Sequence, residues 1–120
     1  EKRRKNAEKL TSNLKNSRKL KLPTEPKGYQ HSWYLYTVRL KDAKERERDG
    51  IVEKLRQKGI DAQVYYKCPI HLMPYYGKFG KYNLPETEKA AVQVFSLPVH
   101  PGVTDEQADY ISETVLHVLE

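Results

Sequence analysis

The segment HSWYLYTVRL, residues 31–40, is the feature that most constrains the fold of this chain. It is rich in β-branched and aromatic residues, which favour a β-strand. Alternate side chains of a strand point to opposite faces of its sheet. One face would carry Trp33, Leu35, Thr37 and Arg39, and the other Tyr34, Tyr36, Val38 and Leu40. Both faces are mostly apolar, so we expect a central strand that is covered on at least part of each side.

Helical patterns flank this strand. Residues 3–20 predict a first helix, with Ala7, Leu10 and Leu14 at helical spacing in an otherwise polar segment. This apolar stripe is narrow, so we expect the helix to pack on something outside the chain. The segment LPTEPKG, residues 22–28, contains two prolines and a glycine and predicts a turn or linker.

The remaining segments complete the predicted order of elements. A helix is predicted over 43–58, between the capping-box spacing of Asp42 and Glu45 and a stop at Gly59. Strands are expected over 60–66 and 95–102, with a helix from Pro85 between them and a last helix from Thr104. We therefore expect one domain over residues 1–120 of the α/β (α+β) class, with a sheet of about three strands and helices packed mainly on one face.

The net charge of +6 belongs to the start of the chain. Residues 1–27 hold ten Lys and Arg and three acids, a charge of +7, whereas residues 28–120 hold 12 basic and 13 acidic residues. A basic segment can bind nucleic acid or another polyanion. Such runs are more often solvated helix faces, so nucleic acid is kept only as an alternative partner.

An irregular segment, YYKCPIHLMPYYGKFGKYNLP, follows the second predicted strand, and we call residues 65–85 the aromatic loop. It has neither helical nor strand periodicity. Its rings could fill a thin core or a partner interface, with the tyrosine hydroxyls in water. Alternatively they could wall a pocket for a sugar or another polar, ring-shaped ligand.

Other classes of site receive little support. Cys68 and His71 could form a nucleophile and base, but three residues apart in a proline-bounded loop they need not meet. The four histidines lack zinc-site spacing, and there is no P-loop or dinucleotide fingerprint. Cys68 is alone, so no internal disulfide is expected. Because no membrane span or signal peptide is visible, we expect a cytoplasmic protein; the start at Glu1 suggests a fragment.

Five motifs together resemble a known family. In order they are RKNAEKL, HSWYLYTVRL, RDGIVEKLRQKGIDAQVYYKCPIHLMPYY, LPETEKAA and VFSLPVHPGVTDEQADYI. Over about residues 4–118 the chain is similar to the C-terminal small domain of the DegT/DnrJ/StrS sugar aminotransferases. These are fold-type-I enzymes that use pyridoxal 5′-phosphate (PLP).

The resemblance implies a parent enzyme larger than this chain. Its Schiff-base lysine and cofactor contacts would lie in a large N-terminal domain that is absent here, so no lysine of this chain is assigned a catalytic role. Residues 1–20 would belong to the helix that joins the domains, and residues 28–120 would form the α/β body. The implied partners are the large domain and a second subunit of a homodimer, and the chain alone is expected to bind no cofactor and to be inactive.

The resemblance also implies a reaction and a set of residues. An amino acid such as glutamate would donate its amino group, through PLP, to a keto-sugar that is commonly nucleotide-linked. By this resemblance, four residues would line the substrate cleft: Tyr66, Pro69, His71 and Tyr75. His71 would form a hydrogen bond with a hydroxyl or phosphate group of the substrate. Two other hypotheses stay open: an independent module that binds a polyanion through its basic helix, and a family member that regulates without transaminating.

Overall fold

The computed structural model describes residues 1–120. The chain forms four α-helices, three strands and two short 3₁₀ helices in the aromatic loop. In chain order the main elements are α1 Lys2–Leu14, β1 Leu20–Lys21, β2 Tyr36–Leu40, α2 Glu45–Gln57, α3 Pro85–Gln93, β3 Val94–Leu97 and α4 Asp105–Leu119. None of the helices is both long and apolar enough to cross a membrane.

The three strands form one antiparallel sheet in the order β1–β2–β3. In its register, Leu40 lies opposite Leu20, and Val38 lies opposite Phe95. The predicted α/β class, the three-stranded sheet and the central place of the HSWYLYTVRL segment are therefore confirmed.

The central strand is shorter and more one-sided than predicted. It begins at Tyr36, because Trp33 has a left-handed backbone with φ 52° and its N–H bonds to His31 Nδ1 at 2.8 Å. Every second residue from Tyr36 is buried, whereas Thr37 and Arg39 between them are half-buried. The sheet thus has one core face and one largely polar outer face.

Three helices cover the core face. Side chains of α1, α2 and α4 join those of all three strands in a single cluster of 20 buried residues, as expected for helices packed mainly on one face. The apolar stripe of α1 is fully covered within the chain, so the expectation of an outside partner for it is wrong. Helix α1 also ends at Leu14 and not at residue 20, because Leu20 and Lys21 pair with β2 as a strand.

The ends of α2 show where capping was predicted correctly and where it was not. Asp42 is not the N-terminal cap, because its φ of 56° places it in a turn before the helix. Instead, the Glu47 carboxylate accepts the backbone N–H of Lys44 at 2.7 Å. At the other end, Gly59 has φ 79° and donates to Arg56 O at 2.9 Å, which confirms it as the stop.

The strand predicted over 60–66 is wrong. Only Gln63 pairs there, exchanging two backbone hydrogen bonds with Ser96 at 3.0 and 2.8 Å. A tight turn in which Ala62 N–H bonds Ile60 O at 2.8 Å prevents an extended ladder. The predicted starts of α3 at Pro85 and of α4 after Thr104 are confirmed.

Candidate functional site

The aromatic loop runs over the surface and contributes no residue to the buried core. Two short 3₁₀ helices, Ile70–Leu72 and Tyr76–Phe79, organise it. Its six aromatic rings are each at least 41% exposed. Large aromatic side chains that are exposed together in one segment are typical of binding surfaces.

A cavity of about 710 Å³ lies between the aromatic loop and α3. Ala91 of α3 and Val94 of β3 form part of its wall, and Val94 alternates with the core residue Phe95, so it points to the outer side of the sheet. The lining is mostly apolar with a few polar tips. It consists of Tyr66, Pro69, Ile70, His71, Tyr76, Phe79, Tyr82, Leu84, Thr87, Ala91 and Val94.

Three of the four residues predicted to line a cleft lie in this wall: Tyr66, Pro69 and His71. Tyr75 does not. Its ring packs edge-on against Tyr76 at 5.2 Å between centroids, and the Lys78 ammonium lies 3.8 Å from its ring centroid. Tyr75 therefore supports the wall residue Tyr76 from behind.

His71 is held by a carboxylate. Its side chain is only 9% exposed, and Nε2 lies 3.0 Å from Glu88 Oε1 on α3. The hydrogen bond with His71, followed by the Leu84 N–H, lowers the pKa of the Glu88 carboxyl. An imidazole fixed in this way keeps Nδ1 for a second hydrogen bond, so it can orient a polar group of a ligand.

Glu88 is a residue of this candidate site that the sequence did not predict. It lies in the first turn of α3, where the helix dipole alone accounts for an acidic residue. The signal that could have found it is the acid–histidine combination in one segment, but the 17 residues between them give no spacing rule.

Cys68 and His71 do not form a nucleophile–base pair, in agreement with the sequence-based expectation. Cys68 is exposed and its Sγ contacts Pro69 O at 3.6 Å, while Nε2 of His71 is bonded to Glu88. No group of three or more His, Cys, Asp or Glu side chains is placed to hold a metal ion.

The basic charge of α1 is largely paired within the chain. Lys2 and Lys5 both reach Asp105, and Lys9 reaches Asp109 at 2.9 Å, all on α4. Arg4 forms a bidentate ion pair with Glu25, with both hydrogen bonds at 2.8 Å. These contacts pair four of the ten basic residues of the segment 1–27 with acids of this chain.

The chain folds as a mixed α/β domain, and its structural neighbours are PLP-dependent aminotransferases. The sequence model described as the DegT/DnrJ/EryC1/StrS aminotransferase family matches residues 1–116. The chain belongs to this family.

Two curated relatives and one solved structure illustrate the similarity. The chain is 37% identical to a pleiotropic regulatory protein of Geobacillus stearothermophilus, over 78% of this chain and 24% of the relative. It is 32% identical to a dTDP-3-amino-3,4,6-trideoxy-alpha-D-glucose transaminase of Micromonospora megalomicea subsp. nigra, over 90% of this chain and 28% of the relative. The PLP form of the putative sugar aminotransferase Spr1654 from Streptococcus pneumoniae matches with a TM-score of 0.88 and 28% identity. The match covers 98% of this chain and 30% of that structure's chain.

The chain thus spans about a quarter to a third of the length of these relatives. The match to a PLP form raises the question whether the cavity could hold PLP itself. A PLP site needs a lysine for the Schiff base and a cradle for the phosphate. No lysine lines this cavity and its wall is mostly apolar, so its residues do not fit the cofactor.

Proposed function

We propose that this chain is the small C-terminal domain of a PLP-dependent aminotransferase that transfers an amino group from an amino acid donor to a nucleotide-linked keto-sugar. The observation that carries the proposal is the cavity walled by the aromatic loop, with His71 fixed by Glu88 at its side. Family membership supplies the reaction class, and the cavity supplies a place for the sugar.

The chemistry of the wall suits a sugar. A volume of about 710 Å³ lies within the range of roughly 300–1,000 Å³ that is typical of small-ligand pockets. Aromatic rings offer flat apolar faces to the C–H faces of a sugar ring, and the hydroxyls of Tyr66 and Tyr82 supply hydrogen bonds. His71 would bond a hydroxyl or phosphate of the ligand through the nitrogen that Glu88 leaves free.

The remaining parts of the reaction belong elsewhere in the parent enzyme. Its large domain would bind PLP and supply the lysine that moves protons, and α1 would connect this domain to it. The exposed rings of the aromatic loop would be covered by the large domain, by the substrate and by a second subunit. This domain then shapes the sugar pocket and limits the access of water.

The test is His71→Ala in the full-length enzyme, with His117→Ala as the matched control because His117 is 70% exposed on α4. Losing one hydrogen bond to the ligand should raise KM for the nucleotide keto-sugar about tenfold. The absorbance band of bound PLP should stay unchanged in both variants. Steady-state kinetics like those of the wild type would show that His71 only supports the fold.

A regulatory role is the second candidate, because one relative is known as a pleiotropic regulatory protein. Such a protein could keep this domain and lack the lysine of the large domain. A PLP absorbance band that shifts when amino donor is added to the full-length protein would exclude this reading.

A further inference from the structure

Arg48 stands out in the structure as a charged side chain that is completely buried. It lies on the inner side of α2 with 0% exposure. Moving a guanidinium from water into a protein interior is costly unless its donors are bonded. The partners of Arg48 therefore show what this side chain does in the fold.

The first set of partners lies behind the cavity wall. Nη1 of Arg48 donates to Ala91 O and to Val94 O, both at 2.8 Å. Ala91 O is one of the last carbonyls of α3, which have no partner within the helix. Since Ala91 and Val94 also line the cavity, Arg48 fixes this wall from the side opposite the ligand.

The second partner leads to the other wall. Nε of Arg48 donates to Asp49 Oδ1 at 2.7 Å, and Asp49 Oδ2 lies 3.5 Å from Lys67 Nζ in the aromatic loop. Burial raises the pKa of the Asp49 carboxyl, but Arg48 and Lys67 outweigh it, so the pKa is lowered and the group stays charged. Lys67 follows the wall residue Tyr66 directly.

We propose that Arg48, together with Asp49, is a positioning unit that sets the two walls of the sugar cavity relative to each other. One wall, α3, carries Glu88; the other, the aromatic loop, carries His71. The unit touches no substrate and acts through the 3.0 Å contact between those two side chains. This inference rests on the proposed function for its kinetic consequences but not for its structural ones.

The kinetic test is a double-mutant cycle of Arg48→Lys and Glu88→Gln in the full-length enzyme, with Arg56→Lys as the control. Arg56 lies on the same helix and also donates to a backbone carbonyl, Ala62 O at 2.9 Å, away from the cavity. Lysine keeps the charge but cannot bridge two carbonyls and Asp49 together. Arg48→Lys should raise KM for the keto-sugar about tenfold with kcat changed less than about threefold, whereas Arg56→Lys should leave both near wild type.

The cycle separates positioning from simple loss of stability. In the Glu88→Gln background, Arg48→Lys should raise KM by less than about twofold, because the contact it serves is already altered. Effects that multiply independently would overturn the proposal. Should Arg48→Lys fail to fold, Asp49→Asn keeps an oxygen acceptor for Nε but removes the charge that pairs with Arg48 and Lys67, and a smaller rise in KM is expected.

A second readout needs no activity. In NMR spectra of the 120-residue chain, Arg48→Lys should shift the ring signals of His71 and leave those of His117 unchanged. Unshifted His71 signals would overturn the positioning role even if kinetics change. Shifted signals with a kinetically silent His71→Ala would instead keep this inference and reject the sugar pocket.

Discussion

Glu25 shows how a single side chain can hold three parts of the chain together. Its carboxylate accepts two hydrogen bonds from Arg4 on α1 and one from the backbone N–H of His31, just before the sheet. The hydrogen bond with Arg4 is the main cause, ahead of the one from His31, that lowers the pKa of Glu25 from 4.5 to about 2.

This shift predicts an acid-sensitive contribution to stability. Because the pKa of Glu25 is lower in the folded chain, its contribution is complete above pH 4.5 and is lost as the pH falls towards about 2. Glu25→Gln should therefore be less stable than wild type at pH 7, and the difference in Tm should shrink at pH 3 and below. Thermal melts of both proteins across this range test it.

The matched control is Glu113→Gln, at an exposed glutamate of α4 that makes no ion pair. Its Tm should follow that of wild type at every pH. If the difference between Glu25→Gln and wild type were constant from pH 7 to pH 2, the ion pair would not be its source.

Residues that act through tertiary contacts were the hardest to find from sequence. Resemblance pointed to His71, and the structure places it in the cavity wall. Glu88 and Arg48 looked like ordinary charged residues of surface helices, since nothing local marks a charged side chain as buried or as bonded to a distant segment. Their roles depend on how α2, α3 and the aromatic loop pack together.

At the scale of elements, N-terminal capping motifs predicted helix starts correctly where the backbone at the motif is not left-handed. Thr104 and Gln107 have the spacing of a capping box, and Thr104 Oγ1 accepts the N–H of Gln107 at 3.2 Å while Gln107 Oε1 accepts the N–H of Thr104 at 2.9 Å. Asp42 and Glu45 had the same spacing, but the left-handed backbone at Asp42 removes it from the helix. Spacing alone does not report φ.

Thr104→Ala should lower the free energy of unfolding by about 1 kcal/mol, because it leaves an N-terminal N–H of α4 without its acceptor. Thr104→Ser keeps the hydroxyl and should cost no more than a few tenths of that. Urea denaturation of the three proteins measures the difference. Equal losses for Ala and Ser would mean that packing of the Thr104 methyl group matters and that the cap does not.

Strand boundaries were less predictable than helix ends. The residues 60–66 have the composition of a strand, yet only Gln63 pairs, because a turn at Ile60 redirects the chain. In the same way Leu20 and Lys21 form β1 although their sequence continues a helical pattern. Pairing partners supplied by the rest of the sheet decide such short segments.

At the scale of the whole molecule, the ion pairs between α1 and α4 bear on the polyanion hypothesis. Four of the five basic side chains of α1 already contact acids of this chain. We expect the chain to bind a labelled DNA duplex no more tightly than about 10⁻⁶ M at physiological salt, the upper end of non-specific binding.

Titrations at two salt concentrations decide this question. Binding tighter than that limit, with an affinity that falls steeply as salt rises, would support a nucleic-acid module and contradict the pairing argument.

The fold class was predictable at this scale because hydrophobic periodicity and the order of elements determine it. The cavity was not, since its walls come from segments that meet only in the folded chain.

The packing of α1 on α4 has a consequence for how the chain is made. These helices form one face of the core although Lys2 and its partner Asp105 are 103 positions apart. Synthesis proceeds from the N-terminus at roughly 5–20 residues per second, so about 5–20 s separate the first helix from the last. During that interval Ala7, Leu10 and Leu14 have no α4 to cover them, and closing so long a loop is a slow step. A ribosome that stops before α4 therefore releases a chain in which the apolar stripe of α1 lacks the helix that covers it.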